Sequence, residues 1–138
     1  MAYLFGTEEW IKAYQQEINR SERYKKVGAT WEGDFYFVVV PKGLMERGAI
    51  YYLDLWHGEC RAACLAEAEN QFAPAFRLES ADGNWQAIIN RKLDPIQGMM
   101  TRKIKLQGDM SKIMRYVPAA QELVMCATRV PTEFSTKL

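Results

Sequence analysis

Histidine is almost missing from this chain: His57 is the only one in 138 residues. A serine- or cysteine-type hydrolase needs an imidazole base, so a single residue would have to serve, and no G-x-S-x-G elbow presents a nucleophile to it. Cysteine is scarce as well. Cys60, Cys64 and Cys126 leave one thiol unpaired in any intramolecular scheme, and no leader precedes the first charged segment, so a reducing, cytoplasmic setting is expected. The nine glycines are scattered singly, which provides neither a phosphate loop nor a dinucleotide fingerprint. Long apolar runs are absent. The run Phe35 to Pro41 falls far short of the ~20 residues that span a bilayer. Charge of one sign is lacking too: eighteen Lys and Arg against seventeen Asp and Glu leave +1, which argues against a nucleic-acid partner.

What is present suits one domain over residues 1–138, with 49% apolar residues to fill a core and 25% charged residues to keep it soluble. Such a chain folds to a radius of gyration of roughly 14 Å and needs no disulfide to hold a core.

The segment TEEWIKAYQQEINR places Trp10, Ile11, Tyr14 and Ile18 on one helical face. Thr7 can cap it, with Glu8 and Glu9 in the first turn, and the basic stretch to Lys26 suits the far end, so a helix over about 7–26 is expected. WEGDFYFVVV and AIYYLDLW then read as a hairpin joined by PKGLMERG. Phe35, Phe37 and Val39 share one face of the first strand, and Tyr51, Leu53 and Leu55 one face of the second. The stretch 59–69 is ambiguous between strand and helix and is read as a third strand. After it Phe76 and Leu78 share a strand face. Asp82 is expected to cap a helix carrying Trp85, Ile88 and Ile89. Asp94 and Pro95 open a second short helix. KIKLQG, 103–108, alternates as a strand with Ile104 and Leu106 inward. A third helix from Asp109 carries Met110, Ile113, Met114 and Val117, and Pro118 is expected to end or kink it. The core of sheet and helices is placed at about 30–127, with a tail from about 128 to 138.

The order of these elements resembles the sterol carrier protein type two domain family, of the stand-alone bacterial kind. The most specific part is LESADGNWQAIINRKLDPIQGMMTRKIKLQGDM, residues 78–110. It is similar to the family's strand, capped helix, short helix after an Asp-Pro turn, and basic alternating strand. Phe35, Phe37 and Val39, followed by Asp54 in the next strand, add to the match. The resemblance implies an α+β fold: about five mainly antiparallel strands, with helices on one face and an apolar tunnel between the layers. It also implies non-catalytic binding and transfer of a fatty acid, acyl-CoA, sterol or isoprenoid-like lipid, with no cofactor. Where the family commonly has two aromatics and Gln-Gly, this chain has Met99, Met100, Thr101 and Arg102, and methionine makes a more adaptable wall.

The wall of that tunnel is expected to come from Phe35, Phe37, Leu53, Leu55, Phe76, Leu78, Ile104 and Leu106 on strands. From helices it is expected to take Trp85, Ile89, Met99, Met100, Met110, Ile113, Met114 and Val117. An apolar helical face is more often plain core than cavity wall. An empty dry cavity of ~300 Å³ would cost about 7 kcal/mol, comparable to the whole stability of a domain, so the site should hold lipid, hold water or partly collapse. Residues 91–115 carry seven basic and two acidic residues. Arg91, Lys92, Arg102, Lys103 and Lys105 are therefore the candidates for an anionic headgroup or an anionic membrane surface, although lysines on an edge strand also discourage aggregation.

His57, Cys60 and Cys64 form the one cluster that suggests a metal or a cysteine nucleophile. On a strand the two cysteines share a face about 13 Å apart, too far for common ligation, so no metal is expected. Asp34 and Asp54 read as strand-end and surface residues rather than a catalytic pair. The rival reading is a protein-interaction or dimerisation module that uses the same apolar groove, served by Trp10, Trp31 and Trp56. The terminal STKL only loosely resembles a Ser-Lys-Leu peroxisomal address.

Overall fold

The structure is a computed structural model that describes residues 2–134. The STKL reading and the end of the expected tail lie outside the described residues. A two-residue strand, β1 (Tyr3–Leu4), leads into α1 (Glu8–Arg20). The Thr7 hydroxyl accepts from the Trp10 N–H, as the sequence predicts. Trp10, Ile11, Tyr14 and Ile18 are all buried, worth roughly 6–12 kcal/mol of gross apolar transfer. The helix expected over 7–26 is two helices. Ser21 is extended and closes α1, and its hydroxyl accepts from the Tyr24 N–H to open α2 (Glu22–Val27). A serine that bonds the main chain ahead of it competes with helix continuation, which apolar spacing does not reveal.

The main sheet contains β2 (Glu32–Val40), β3 (Ala49–Trp56), β4 (Glu59–Leu65), β5 (Phe76–Ala81) and β6 (Lys105–Gln107). Its order is β4-β3-β2-β5-β6, antiparallel except where β5 runs parallel to β2. The ambiguous 59–69 stretch is a strand as far as Leu65, because pairing along β3 outweighs the helical preference of Ala and Glu. Phe35 lies between Leu53 and Phe76, and Phe37 between Tyr51 and Leu78, so the expected inner face forms in register.

The α1 helix lies along β4 and supplies hydrogen-bonding partners to its open edge. The Asn19 side-chain carbonyl accepts from the Cys60 N–H at 2.8 Å, and its amide donates to the Cys60 carbonyl at 3.0 Å. Gln15 donates to the same carbonyl, Lys12 donates to Ala63, and Glu8 accepts from the Leu65 N–H. The polar side of the helix thereby blunts an edge that would otherwise template another chain.

Four further helices follow: α3 (Asp82–Ile89), α4 (Pro95–Met100), α5 (Met110–Met114) and α6 (Val117–Thr128). Asp94 and Asp109 cap α4 and α5 through their carboxylates. Asp82 is not the cap of α3. It occupies the first helical position, and its carboxylate instead accepts the N–H groups of Lys42, Leu44 and Met45, pinning the β2–β3 connection. Pro118 does not end a helix but stands in the first turn of α6, where its missing N–H is harmless. The strand expected over 103–108 is shorter, β6 alone. Within the stretch expected as a tail from 128, Thr128 ends α6 and β7 (Thr132–Glu133) pairs in parallel with β1.

All the long helices lie on the inner face. The other face of the sheet carries a smaller cluster of Tyr36, Val38 and Tyr52, covered by the 66–75 connection. There Phe72 stacks on Tyr52 at 3.8 Å, and Glu69 pairs with Arg77. Among the described residues no helix is long and apolar enough to cross a membrane.

Candidate functional site

Between the sheet and the helices lies a cavity of about 110 Å³. Its floor is a line of rings from β2 and its neighbours. Trp31 stacks on Phe35 at 5.7 Å, Phe35 meets Phe37 at 5.7 Å, and Phe37 meets Trp85 at 5.3 Å. Helices α3, α4 and α6 supply most of its roof, and Phe5, Trp10, Tyr14 and Tyr51 form a packed group of rings in its lining. Left empty, that volume costs about 3 kcal/mol, well below the figure for a full-sized ligand site.

The lining offers a ligand little polarity. The indole N–H groups of Trp31 and Trp85 donate to the Gly33 and Val38 carbonyls. The hydroxyls of Tyr14 and Tyr51 donate to the Leu123 and Thr7 carbonyls. Burial raises both of these phenol pKa values, so they stay neutral. The lining therefore presents apolar surface and shape rather than free hydrogen-bonding groups.

Nine of the sixteen expected wall residues line this space: Phe35, Phe37, Leu55, Leu78, Trp85, Ile89, Met99, Ile104 and Ile113. The others fall elsewhere. Leu53 and Phe76 are buried in solid core. Leu106, Met110 and Val117 are partly buried without reaching the lining. Met100 and Met114 are 60% and 43% exposed, because neighbours on a helix point about 100° apart and the inward place beside Met100 is taken by Met99. Gly98 brings α4 down onto Ile104, where a Cβ would lie 2.7 Å from the Ile104 Cδ1. Most of the roof residues missed by sequence reading belong to α6: Ala119, Ala120, Leu123, Val124 and Ala127. Their offsets of zero, one, four, five and eight are a helical signal, obscured by reading Pro118 as a stop.

The five candidate cations, Arg91, Lys92, Arg102, Lys103 and Lys105, are all exposed, and none makes an ion pair among the described residues. Arg91 and Arg102 follow the last turns of α3 and α4 with φ of 62° and 64°. The Arg91 N–H donates to Ile88 and the Lys92 N–H to Ala87, a left-handed helix ending in which a cation also meets the negative end of the dipole.

The cysteines are arranged against a shared site. A bulge opposite Asp54 and Leu55 sets Cys60 against Leu55 on the inner face and Cys64 against Tyr52 on the other. The expectation that they share a strand face is thus corrected, since one extra residue reverses the alternation. Burial pushes the Cys60 thiol up to about 12, the opposite of nucleophile activation. His57 is exposed and pairs with Glu32 at 2.6 Å. Asp34 and Asp54 are direct cross-strand partners, but Tyr52 and the Ala75 N–H donate to Asp34 while Arg61 holds Asp54, all on the face away from the cavity. Trp10 and Trp31 are buried in the cavity wall, and only Trp56, beneath the Arg61 guanidinium, is partly exposed.

Residues 11–121 match the model of the SCP-2 sterol transfer family. The chain belongs to this family. Within it, similar solved structures include a crystal structure of sterol carrier protein 2, 36% identical over 91% of this chain and 98% of that one, with a TM-score of 0.82. Another is the solution structure of a conserved hypothetical protein from Thermus thermophilus, described as possibly a sterol carrier protein. It is 35% identical over 96% of this chain and 94% of that one, with a TM-score of 0.83. Mouse stomatin-like protein 1 is 29% identical over 90 residues, which are 65% of this chain and 20% of that protein. The chain thus spans about a fifth of that curated relative. The SCP-2 fold is the α+β arrangement expected from the sequence, a five-stranded, mainly antiparallel sheet with helices on its inner face.

Proposed function

We propose that this SCP-2 family chain binds a hydrophobic ligand between its sheet and helices and transfers it without chemical change. The observation that carries the reading is the cavity itself, ringed by aromatic and aliphatic side chains whose polar atoms are largely bonded to the main chain. Family membership and the 36% identity to a sterol carrier protein 2 support it. The ligand class is a fatty acid, fatty acyl-CoA, sterol or isoprenoid-like lipid. Three free thiols suit a cytoplasmic setting.

Native mass spectrometry of freshly purified protein tests the carrier reading. Lipid that leaves only on unfolding is the expected result; a bare chain that takes up none of a fatty-acid or sterol panel overturns it. The exposed cations are proposed to meet an anionic bilayer during transfer. Lys103→Glu with Lys105→Glu should slow transfer to anionic vesicles at low salt and leave transfer to neutral vesicles less affected. Unchanged transfer of the variant to anionic vesicles at low salt would remove that role.

A further inference from the structure

At about 110 Å³ the cavity between sheet and helices is smaller than the ~150 Å³ apolar void that admits a benzene ring, so a long hydrocarbon chain does not fit inside it alone. A second concavity lies next to it. This open groove of about 790 Å³ is bounded by the β1 segment, the connection between β2 and β3, and the ends of β3 and β4. Leu4, Met45, Ile50, Leu65 and Phe134 give it apolar walls, and Glu46, Arg47 and Glu67 are its charged residues. Among the described residues, Phe5 alone lines both spaces.

Phe5 is seated as a plug. Its ring is 3% exposed, edge-on to Trp10 at 4.8 Å and to Tyr51 at 5.6 Å on the cavity side, and 5.3 Å from Phe134 on the groove side. The backbone that carries it is tied lightly. The Tyr3 N–H donates to Pro131 and the Phe5 N–H to Glu133, a two-residue ladder of the kind that opens locally at low free energy. Beyond it the Tyr51 hydroxyl holds Gly6 and Thr7. Gly6 turns the chain at φ 98°, and a Cβ there would come within 2.6 Å of the Met45 Cε. The segment thus passes closely over the groove wall.

We infer that the groove is the second half of the ligand site and that Phe5 is the gate between the halves, the ligand being an amphiphile with one long hydrocarbon chain. The inference rests on the carrier reading above. Rotation of the Phe5 ring joins the two spaces. The tail then occupies the cavity, the remaining methylenes lie along the groove, and the polar end stays outside, where charged residues and water can solvate it. The reverse orientation would bury that end among polar groups already bonded to the main chain.

Each methylene moved from water to an apolar site strengthens binding about fourfold, the equivalent of about 0.8 kcal/mol. The test is calorimetric titration of the full chain with saturated fatty acids from octanoate to octadecanoate. The wild type should gain about that factor per methylene into the longest acids. Ala49→Trp, from the start of β3, and Met45→Glu, from the β2–β3 connection, should each flatten the series at its long end, weakening octadecanoate binding tenfold or more. Melting curves establish that each variant is folded, and two variants on different elements guard against one that is not. A nitroxide at the carboxyl end of octadecanoate should broaden the amide signals of Leu4 and Met45. Full gain in both variants, with those signals sharp, overturns the groove assignment alone. Failure of the wild type to bind any acid overturns the carrier reading and this inference together.

Discussion

Asp82 and Glu122 are buried carboxylates with no part in the cavity, and both are held charged by their hydrogen bonds. Burial alone would raise the Asp82 pKa, but four main-chain N–H groups, from Lys42, Met45, Gly83 and Leu44, outweigh it and hold it below the ordinary range. For Glu122 burial is likewise outweighed, here by the Ser21 hydroxyl at 2.7 Å and the Arg129 guanidinium at 3.2 Å. A carboxyl whose pKa is depressed in the folded state stabilises the protein above its unfolded pKa, and that contribution is lost as pH falls through the folded value. Thermal melts between about pH 5 and 2 should therefore fall steeply, and Glu122→Gln should flatten part of that fall. Asp82→Ala frees several N–H groups of the β2–β3 connection at once and should cost about 2–3 kcal/mol in urea unfolding. Among the thiols, burial pushes Cys60 up to about 12 and Cys126 up to about 11. Iodoacetamide followed by peptide mass mapping should label half-buried Cys64 first in the native protein; equal labelling of all three would contradict the burial described.

At the scale of elements, α1 serves two purposes with two faces. Its apolar side packs on the core, and its polar side completes the hydrogen bonding of the β4 edge through Glu8, Lys12, Gln15 and Asn19. Asn19→Ala should cost about 1–2 kcal/mol and expose an edge able to pair with a second chain. Size-exclusion profiles should then show concentration-dependent dimers that the wild type lacks. In the roof, α6 presents small residues to the cavity, and Ala120→Leu should fill part of it. That change is expected to stabilise the ligand-free protein by about 1 kcal/mol while weakening lipid binding. A rise in melting temperature together with undiminished binding would place the ligand elsewhere.

For the whole molecule, an apolar cavity of about 110 Å³ should couple ligand binding to stability. A lipid at a hundred times its dissociation constant adds about 2.7 kcal/mol, which in a chain of this size corresponds to roughly 10 °C in melting temperature. Long-chain acids should give that shift and octanoate little of it at equal concentration. Identical curves along the series would separate the apolar interior from any role in binding.

Much of the sheet was legible from the residues alone, because a period of two with aromatic and β-branched residues leaves Phe35, Phe37, Tyr51, Leu53 and Leu55 only one face to bury. Apolar spacing likewise showed the inner side of α1. Local chemistry that depends on a partner was not legible. Ser21 reads as one more helical residue until its hydroxyl finds the Tyr24 N–H. Asp82 reads as a cap until the β2–β3 connection folds back over it. Cys60 and Cys64 share a face by count and lose it to a bulge set by register with β3. Hydrophobicity and period decide which residues leave water, and both are properties of the chain. Which buried side chains then surround empty space depends on volumes meeting between the sheet and the helices, so only the tertiary structure could separate Met99 from Met100, assign the roof to α6 and set Phe5 between the cavity and the groove.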